Sequence, residues 1–442
     1  MVRKIVAKFG GTSVKTPEAI KQVAKILRAN PEIKIVVVSA VGGVTNLLVN
    51  LINADQAQRP ILIQELLNIH LKIAQELNLS IDDKIKKEVA RLDQLLNTDI
   101  IDKEKIDNIL SLGEDLSSLL VYTFLNLQGI KIDLIDIRNY LITDDHFGKA
   151  APEISIIKER MQNLSINICI TQGFIGSTLD GKTTTLGRGG SDYSAALIAE
   201  AIEADELLIY TDGPSGVYTM GPNTTEEAQL IDELNFQEMA EMANFGAKIL
   251  HPATIKPCVR SRTGVRILST FAPERNGTLI SIKDNKSLAS RISAITMRSG
   301  QVLVTITSLK MLKAYGFLAN IFSILAKYKI SIDLIITSEV KVALTIDNIS
   351  TGSHARNPFI YNQDLLNELK QFVEVIVEEN LTLLAVIGSR LTVPGIIQKA
   401  LGVIEPFMLR LVCYGASNSS ISVLVDKENA VEVAKLLHKK NF

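Results

Sequence analysis

The run Arg3-Lys4-Ile5-Val6-Ala7-Lys8-Phe9-Gly10-Gly11-Thr12-Ser13-Val14-Lys15-Thr16-Pro17-Glu18 is the key to the whole chain. Its first half, Ile5–Phe9, reads as a short apolar strand. Two glycines then turn the chain. Thr16 can cap a helix, Pro17 suits its first turn, and Glu18 favours its dipole. Backbone N–H groups beside two glycines can approach an anion closely, and the helix N-terminus adds a favourable field. Lys8, at the strand's end, would offer a point charge to a phosphate. Taken alone, a tight turn with a surface lysine explains these residues equally well. The phosphate-loop spacing GxxxxGK[ST] is absent.

The same alternation continues to about residue 270. Apolar, β-branched runs recur at Ile33–Ser39, Ile132–Ile135, Ile166–Thr171, Glu206–Tyr210 and Val265–Ser269, with helical periodicity between them. Such alternation predicts an α/β fold, a mostly parallel sheet sandwiched by helices. From Pro60 to Asn126 no strand signal occurs, and this stretch reads as a helical insertion over the substrate side of the sheet. After about residue 290 the order becomes β-α-β-β-α-β, then repeats. The first unit reads as strand Val302–Thr307, helix Phe317–Lys327, strands Ile330–Ile336 and Val340–Thr345, helix Asp364–Phe372 and strand Val373–Val377. The second reads as Leu381–Ile387, Pro394–Leu401, Phe407–Cys413, Ser420–Val425 and Glu428–Leu437. Two ferredoxin-like (βαββαβ) units follow from that order. The expected domains are 1–285, 296–378 and 379–442, with strand exchange between the last two left open.

Bulk composition narrows the function. The 442 residues carry 47 Lys and Arg against 48 Asp and Glu, a net charge of -1 that argues against a nucleic-acid partner. No apolar run reaches the roughly 20 residues of a membrane span. The N-terminus lacks the apolar core of a signal peptide. Three scattered cysteines, Cys169, Cys258 and Cys413, suggest neither a disulfide framework nor a zinc site. A soluble, cytoplasmic protein is expected.

Four further motifs carry chemistry. Ser39-Ala40-Val41-Gly42-Gly43-Val44-Thr45-Asn46 repeats the strand, glycine turn and helix pattern, so both turns would face one crevice at the strands' carboxyl ends. Ser111-Leu112-Gly113-Glu114 puts a carboxylate in an apolar helix, where a solvated glutamate is the plainer reading. Thr171-Gln172-Gly173-Phe174 leads to Thr183-Thr184-Thr185-Leu186-Gly187-Arg188-Gly189-Gly190-Ser191-Asp192. There Arg188 can grip a carboxylate bidentately, and its glycines allow close backbone approach. Finally, Tyr210-Thr211-Asp212-Gly213, Val217-Tyr218-Thr219 and Phe245-Gly246-Ala247-Lys248 suit a nucleotide. His251, before Pro252, reads as a packed, hydrogen-bonded histidine.

These motifs, in this order, resemble the amino-acid kinase superfamily and within it the aspartokinases. The C-terminal blocks Gly316-Phe317-Leu318-Ala319, Thr337-Ser338-Glu339-Val340 and Tyr414-Gly415-Ala416-Ser417 resemble that family's paired ACT domains. A monofunctional member is expected from where the chain ends. The resemblance implies ATP-dependent phosphorylation of L-aspartate to 4-phospho-L-aspartate with Mg2+, the first step of lysine, threonine and methionine biosynthesis. It also implies feedback by L-lysine and assembly as a homodimer or homotetramer through the ACT domains. A catalytically weak amino-acid sensor and another amino-acid kinase are the alternatives.

By position, the resemblance gives Lys8 and Asp192 catalytic roles, with Asp192 orienting Lys8 or organising the metal shell. Ser39, Thr45, Glu114, Phe174, Arg188 and Ser191 would bind substrate. Arg188 would take the α-carboxylate and Glu114 the ammonium. Lys8, Gly10, Gly11, Thr211, Asp212, Tyr218 and Lys248 would hold ATP. Met311, Phe317, Leu318, Asp333, Ser338 and Glu339 would line the effector site, where a buried acidic pair suits a cationic ligand. Two departures stand out. Asn223 replaces an expected phosphate-binding cation, which implies weaker ATP binding. Lys313 replaces the commoner histidine near the effector site, which leaves the effector's identity open.

Overall fold

The computed structural model describes residues 3–96, 101–164, 168–247, 249–282, 290–311, 315–347, 362–371 and 373–442. The chain divides into two compact units. One comprises Met1–Val217, Leu230–Ala243 and Lys248–Asn285, and the other Tyr218–Gln229, Asn244–Ala247 and Lys286–Phe442.

The first unit is built on β1 (Ile5–Phe9), β2 (Ile33–Val38), β3 (Asp133–Leu134), β4 (Cys169–Gln172), β7 (Glu206–Thr211), β10 (Glu233–Asn235), β11 (Gly264–Ser269) and β12 (Thr278–Ser281). They form one sheet in the order β10-β12-β11-β7-β1-β2-β4-β3. Among these pairs only β11 with β12 is antiparallel. All five residues of β1 are buried, as a central strand covered on both faces requires. The chain runs outward from β1 to β2 and β4, then returns through β7 to β11. The order therefore reverses at β1, where the carboxyl ends of open parallel sheets form ligand crevices. A small ribbon pairs β5 (Ile175–Ser177) with β6 (Thr183–Thr185), and another pairs β8 (Val217–Tyr218) with β9 (Leu230–Ile231).

The helices of this unit are α1 (Pro17–Ala29), α2 (Val44–Asn53), α3 (Arg59–Glu76), α4 (Asp82–Leu96), α5 (Lys103–Leu127), α6 (Ile154–Gln162), α7 (Gly190–Ala201), α8 (Phe236–Asn244) and α9 (Pro252–Ser261). Thr16 caps α1 by accepting from Ala19 N, with Pro17 in the first turn. Helices α3, α4 and α5 are the expected insertion. They share one apolar core with α1, α2 and the sheet, in which Leu66, Leu92 and Leu116 are fully buried.

In the second unit one six-stranded sheet serves both repeats, in the order β14-β15-β13-β16-β18-β17. Its strands are β13 (Arg291–Thr307), β14 (Leu334–Thr337), β15 (Lys341–Asp347), β16 (Glu374–Ser389), β17 (Leu411–Cys413) and β18 (Ser420–Asp426). The helices are α10 (Phe317–Lys327), α11 (Gln363–Lys370), α12 (Ile396–Leu401) and α13 (Ala430–Asn441).

Two sequence expectations are corrected here. The separate strands Val373–Val377 and Leu381–Ile387 are one strand, and the strand expected from Val302 begins at Arg291. Polar Glu378-Glu379-Asn380 and Arg298-Ser299-Gly300 read locally as turns. They are instead carried through by the β13–β16 ladder, whose register shifts between Ser299 and Leu303 absorb the irregular residues. Residues 291–299 thus pair with 381–389, and the first strand of the second unit completes the sheet of the second repeat. Two apolar cores result, one around Val304, Leu325 and Leu369 and the other around Val386, Val423 and Leu437.

Candidate active site

Lys8 lies on β1 with its side chain 10% exposed, and its Nζ pairs with Asp192 Oδ1 at 2.6 Å. Asp192 sits in the first turn of α7, 184 residues further along. The first glycine turn is tied down by Gly10 N donating to Tyr210 O and Gly42 N donating to Gly11 O, so the two glycine turns are bonded to each other. A side chain at residue 11 would put its Cβ 2.7 Å from Ala40 O. Only glycine permits this approach. Lys8, Gly11, Ser39, Thr45, Glu114, Phe174, Arg188, Ser191 and Asp192 line one cleft of about 660 Å³.

Helix α5 forms one wall. Glu114 is 2% exposed; its Oε1 accepts from Ala40 N at 3.1 Å, while Oε2 is buried with no hydrogen-bond partner among the described residues. Burial raises its carboxyl pKa to about 8, partly offset by the Ala40 N–H. Ser117 Oγ donates to Ser39 O at 2.7 Å, so the helix also holds the second glycine turn. A buried oxygen left without a donor among the described residues is free to accept one from a ligand.

The opposite wall is the segment from Phe174 through α7. Phe174 has φ 68°, a sparsely populated conformation for a residue with a side chain. Gly189, at φ 72°, passes so near His251 that a Cβ would stand 2.5 Å from that residue's own Cβ. His251 Nδ1 accepts from Ala253 N and so caps α9, the packed role its sequence context implied. Burial and the nearby Arg188 charge lower the His251 pKa. Arg188 itself is exposed at the cleft.

The nucleotide candidates are more dispersed. Gly10 follows β1 and Thr211 ends the adjacent strand β7, and Phe9 stacks on Tyr210 with ring centroids 4.7 Å apart. Asp212 is exposed beyond β7. Gly10, Thr211 and Asp212 do not line the cleft. Tyr218 and Asn223 belong to the second unit, and Asn223 is exposed there. Lys248 lies outside the described residues, as does Lys313.

The effector candidates gather at one repeat of the second unit. Met311, Phe317 and Leu318 pack on its core. Asp333 pairs with Arg298 at 3.3 Å, and Arg298 also pairs with Asp347. Burial raises the Asp333 pKa against the pull of Arg298. Ser338 and Glu339 lie in the exposed β14–β15 turn. Among the described residues, Asp333 and Glu339 do not form a buried pair. The hairpin turn carries Glu339 into solvent, and Asp333 already faces a guanidinium.

Two residues escaped the sequence reading. Asp107, fully buried on α5, accepts from Gly148 N, Thr185 N and Thr185 Oγ1. Arg138 donates to both oxygens of Asp115, to Ser111 Oγ and to Thr183 Oγ1. The one available signal was spacing. Asp107 stands seven residues before Glu114, two helical turns along the same face.

Residues 3–269 match the family model described as the amino acid kinase family. The lysine-sensitive aspartokinase 3 of Escherichia coli strain K12 is 41% identical to this chain, with 99% of each covered. Two structures of E. coli aspartokinase III each cover 99% of both chains. One, in complex with aspartate and ADP (R-state), is 40% identical with a TM-score of 0.85. The other, in complex with lysine and aspartate (T-state), is 41% identical with a TM-score of 0.84. With this coverage, identity and shared fold, the chain belongs to the amino acid kinase family and, within it, to the aspartokinases.

Proposed function

We propose that the protein transfers the γ-phosphoryl group of ATP to the side-chain carboxylate of L-aspartate, giving 4-phospho-L-aspartate and ADP. The observation that carries the reading is the cleft in which the Lys8–Asp192 pair, two interlocked glycine turns, exposed Arg188 and the unpartnered Glu114 oxygen meet. Arg188 grips the α-carboxylate and Glu114 the α-ammonium. The substrate's second carboxylate then points toward Lys8.

The chemistry follows from charge. A free carboxylate has a pKa near 4 and is already ionised at neutral pH, so no general base is needed. One of its oxygens attacks the γ-phosphorus as the bond to the bridging oxygen breaks, and ADP leaves. No proton moves. Catalysis consists of positioning two anions and stabilising the charge on the transferring group. Lys8, oriented by Asp192, supplies a fixed cation, and the glycine-turn N–H groups add dipoles. No cluster of three His, Cys, Asp or Glu able to hold a metal occurs among the described residues. Mg2+ would come in on the nucleotide's phosphates. Such an ion would neutralise phosphate charge, with Asp192, the carboxylate paired with Lys8, available beside it.

Lysine is the proposed feedback effector, acting at the site of Met311, Phe317, Leu318, Asp333, Ser338 and Glu339. There its ammonium would compete with Arg298 for Asp333. A cytoplasmic homodimer or homotetramer joined through the ACT sheets completes the proposal. No helix among the described residues is long and apolar enough to cross a membrane.

The test is ATP turnover with Mg2+ and L-aspartate, trapping the acyl phosphate as hydroxamate, with glutamate and acetylglutamate as controls. Aspartate-dependent hydroxamate that vanishes in Lys8→Ala is expected. Binding of aspartate with no turnover of any substrate would instead indicate an amino-acid sensor. Unchanged rate at saturating lysine would remove the feedback assignment.

A further inference from the structure

The Thr183-Thr184-Thr185 run stands immediately before the Arg188 loop, and each hydroxyl is engaged by a different partner. Thr183 Oγ1 accepts from Arg138 Nε at 3.1 Å. Thr184 Oγ1 shares a 2.7 Å hydrogen bond with Thr143 Oγ1. Thr185 Oγ1 donates to Asp107 Oδ1 at 2.8 Å. Asp107 Oδ2 also accepts the N–H groups of Thr185 at 2.8 Å and Gly148 at 2.9 Å. Ala150 N donates to Thr185 O at 2.9 Å, so the 144–151 loop and β6 are locked together. Only Leu186 and Gly187 separate Thr185 from Arg188, too few to absorb a displacement at its base.

We infer that Asp107 is a positioning residue for substrate, fixing Arg188 relative to Glu114 through Thr185 and Gly148. This rests on the proposed roles of Arg188 and Glu114. Helix α5 carries both carboxylates on one face. Glu114 faces one end of the substrate's α-amino-acid group, and Asp107 holds the strand that leads to the residue gripping the other. The helix therefore sets where the α-carbon sits, and with it the reach of the second carboxylate toward Lys8. A misplacement of about 1 Å at such a grip costs on the order of a hundredfold.

The substitutions Asp107→Ala and Asp107→Asn separate positioning from bulk stability. Alanine removes all three contacts. Asparagine can keep them, its carbonyl oxygen accepting both N–H groups while its amide donates to a reversed Thr185 hydroxyl. Asp107→Ala is expected to raise KM for aspartate by about ten- to hundredfold, with KM for ATP within about twofold and kcat reduced less. Asp107→Asn should restore most of the loss, and Thr185→Val should fall between. A merely structural role would lower Tm and the active fraction while leaving KM for aspartate unchanged, and that result would overturn the inference. Arg188→Ala serves as the reference. If it raises KM for aspartate while folded Asp107→Ala does not, the substrate assignment stands and this inference fails.

Amide hydrogen exchange decides the clamp whatever the substrate. Peptides 144–151 and 183–190 should exchange at least about tenfold faster in Asp107→Ala, and at the native rate in Asp107→Asn. Unchanged exchange in the alanine variant would overturn the inference even if the wild type turns over aspartate. Failure of the wild type to use aspartate, with exchange accelerated as expected, would overturn only the substrate assignment.

Discussion

Glu114 should give aspartate binding a pH dependence that can be worked out from its burial. Its carboxyl pKa is pushed up to about 8 because it is 2% exposed and receives only the Ala40 N–H. The ionised form is the one that meets an ammonium. With that pKa roughly one Glu114 in eleven is ionised at pH 7 and roughly three in four at pH 8.5, so kcat/KM for aspartate should rise about eightfold between them. The charges facing Glu114 are Asp115 and Arg138, which are paired with each other and leave burial as the main cause. Asp107 and Asp115 are raised as well, so the assignment needs a variant.

Glu114→Gln keeps the shape and removes the titration. It should flatten the profile and, by losing a charged hydrogen bond of about 1.5–3 kcal/mol, raise KM for aspartate by about ten- to a hundredfold at pH 8.5. The assay is ADP release at saturating ATP across pH 6.5–8.5. A flat wild-type profile, or the same rise persisting in Glu114→Gln, would refute the reasoning.

Stability supplies a second reading of the same group. A carboxyl whose folded pKa lies above its unfolded value penalises the fold increasingly as pH climbs from about 4.5 to about 8. Glu114→Gln should therefore raise Tm more at pH 8.5 than at pH 5.

Three further outcomes are expected. Lys8→Met should lower kcat about a hundred- to a thousandfold with less effect on KM for aspartate, because the lost cation acts on charge that develops during transfer; a change confined to KM would contradict that role. Gly11→Ala, whose Cβ would stand 2.7 Å from Ala40 O, should separate the two glycine turns and cost roughly 1–3 kcal/mol of stability together with most of the activity, as measured by denaturant unfolding and turnover; near-native values for both would show that the turns can give. Asn223→Arg, on the exposed residue where the family resemblance leads one to expect a phosphate-binding cation, should lower KM for ATP, and no decrease in a steady-state titration would sink that explanation of the departure.

Local sequence determined the elements. The β1 strand, the glycine turns after β1 and β2, the capped start of α1 and the full extent of α10 at Phe317–Lys327 follow from periodicity, capping and glycine chemistry, which act over a few residues. Resemblance in motif order marked out the residues that the tertiary structure gathers into the cleft. Only the fold decided the long-range facts. The Lys8–Asp192 pair joins positions 184 apart, and the burial that raises the Glu114 pKa comes from packing α5 beneath the second glycine turn. The strands that polar residues seemed to interrupt near Ser299 and Asn380 run on because each has the other as a partner. Asp107 reads in sequence as an ordinary acidic residue on a mixed helix, since its partners lie 41 and 78 residues away. Hydrophobic periodicity reports which face of an element is buried, not which distant polar atoms meet there, and for Asp107 that meeting is the whole of its role.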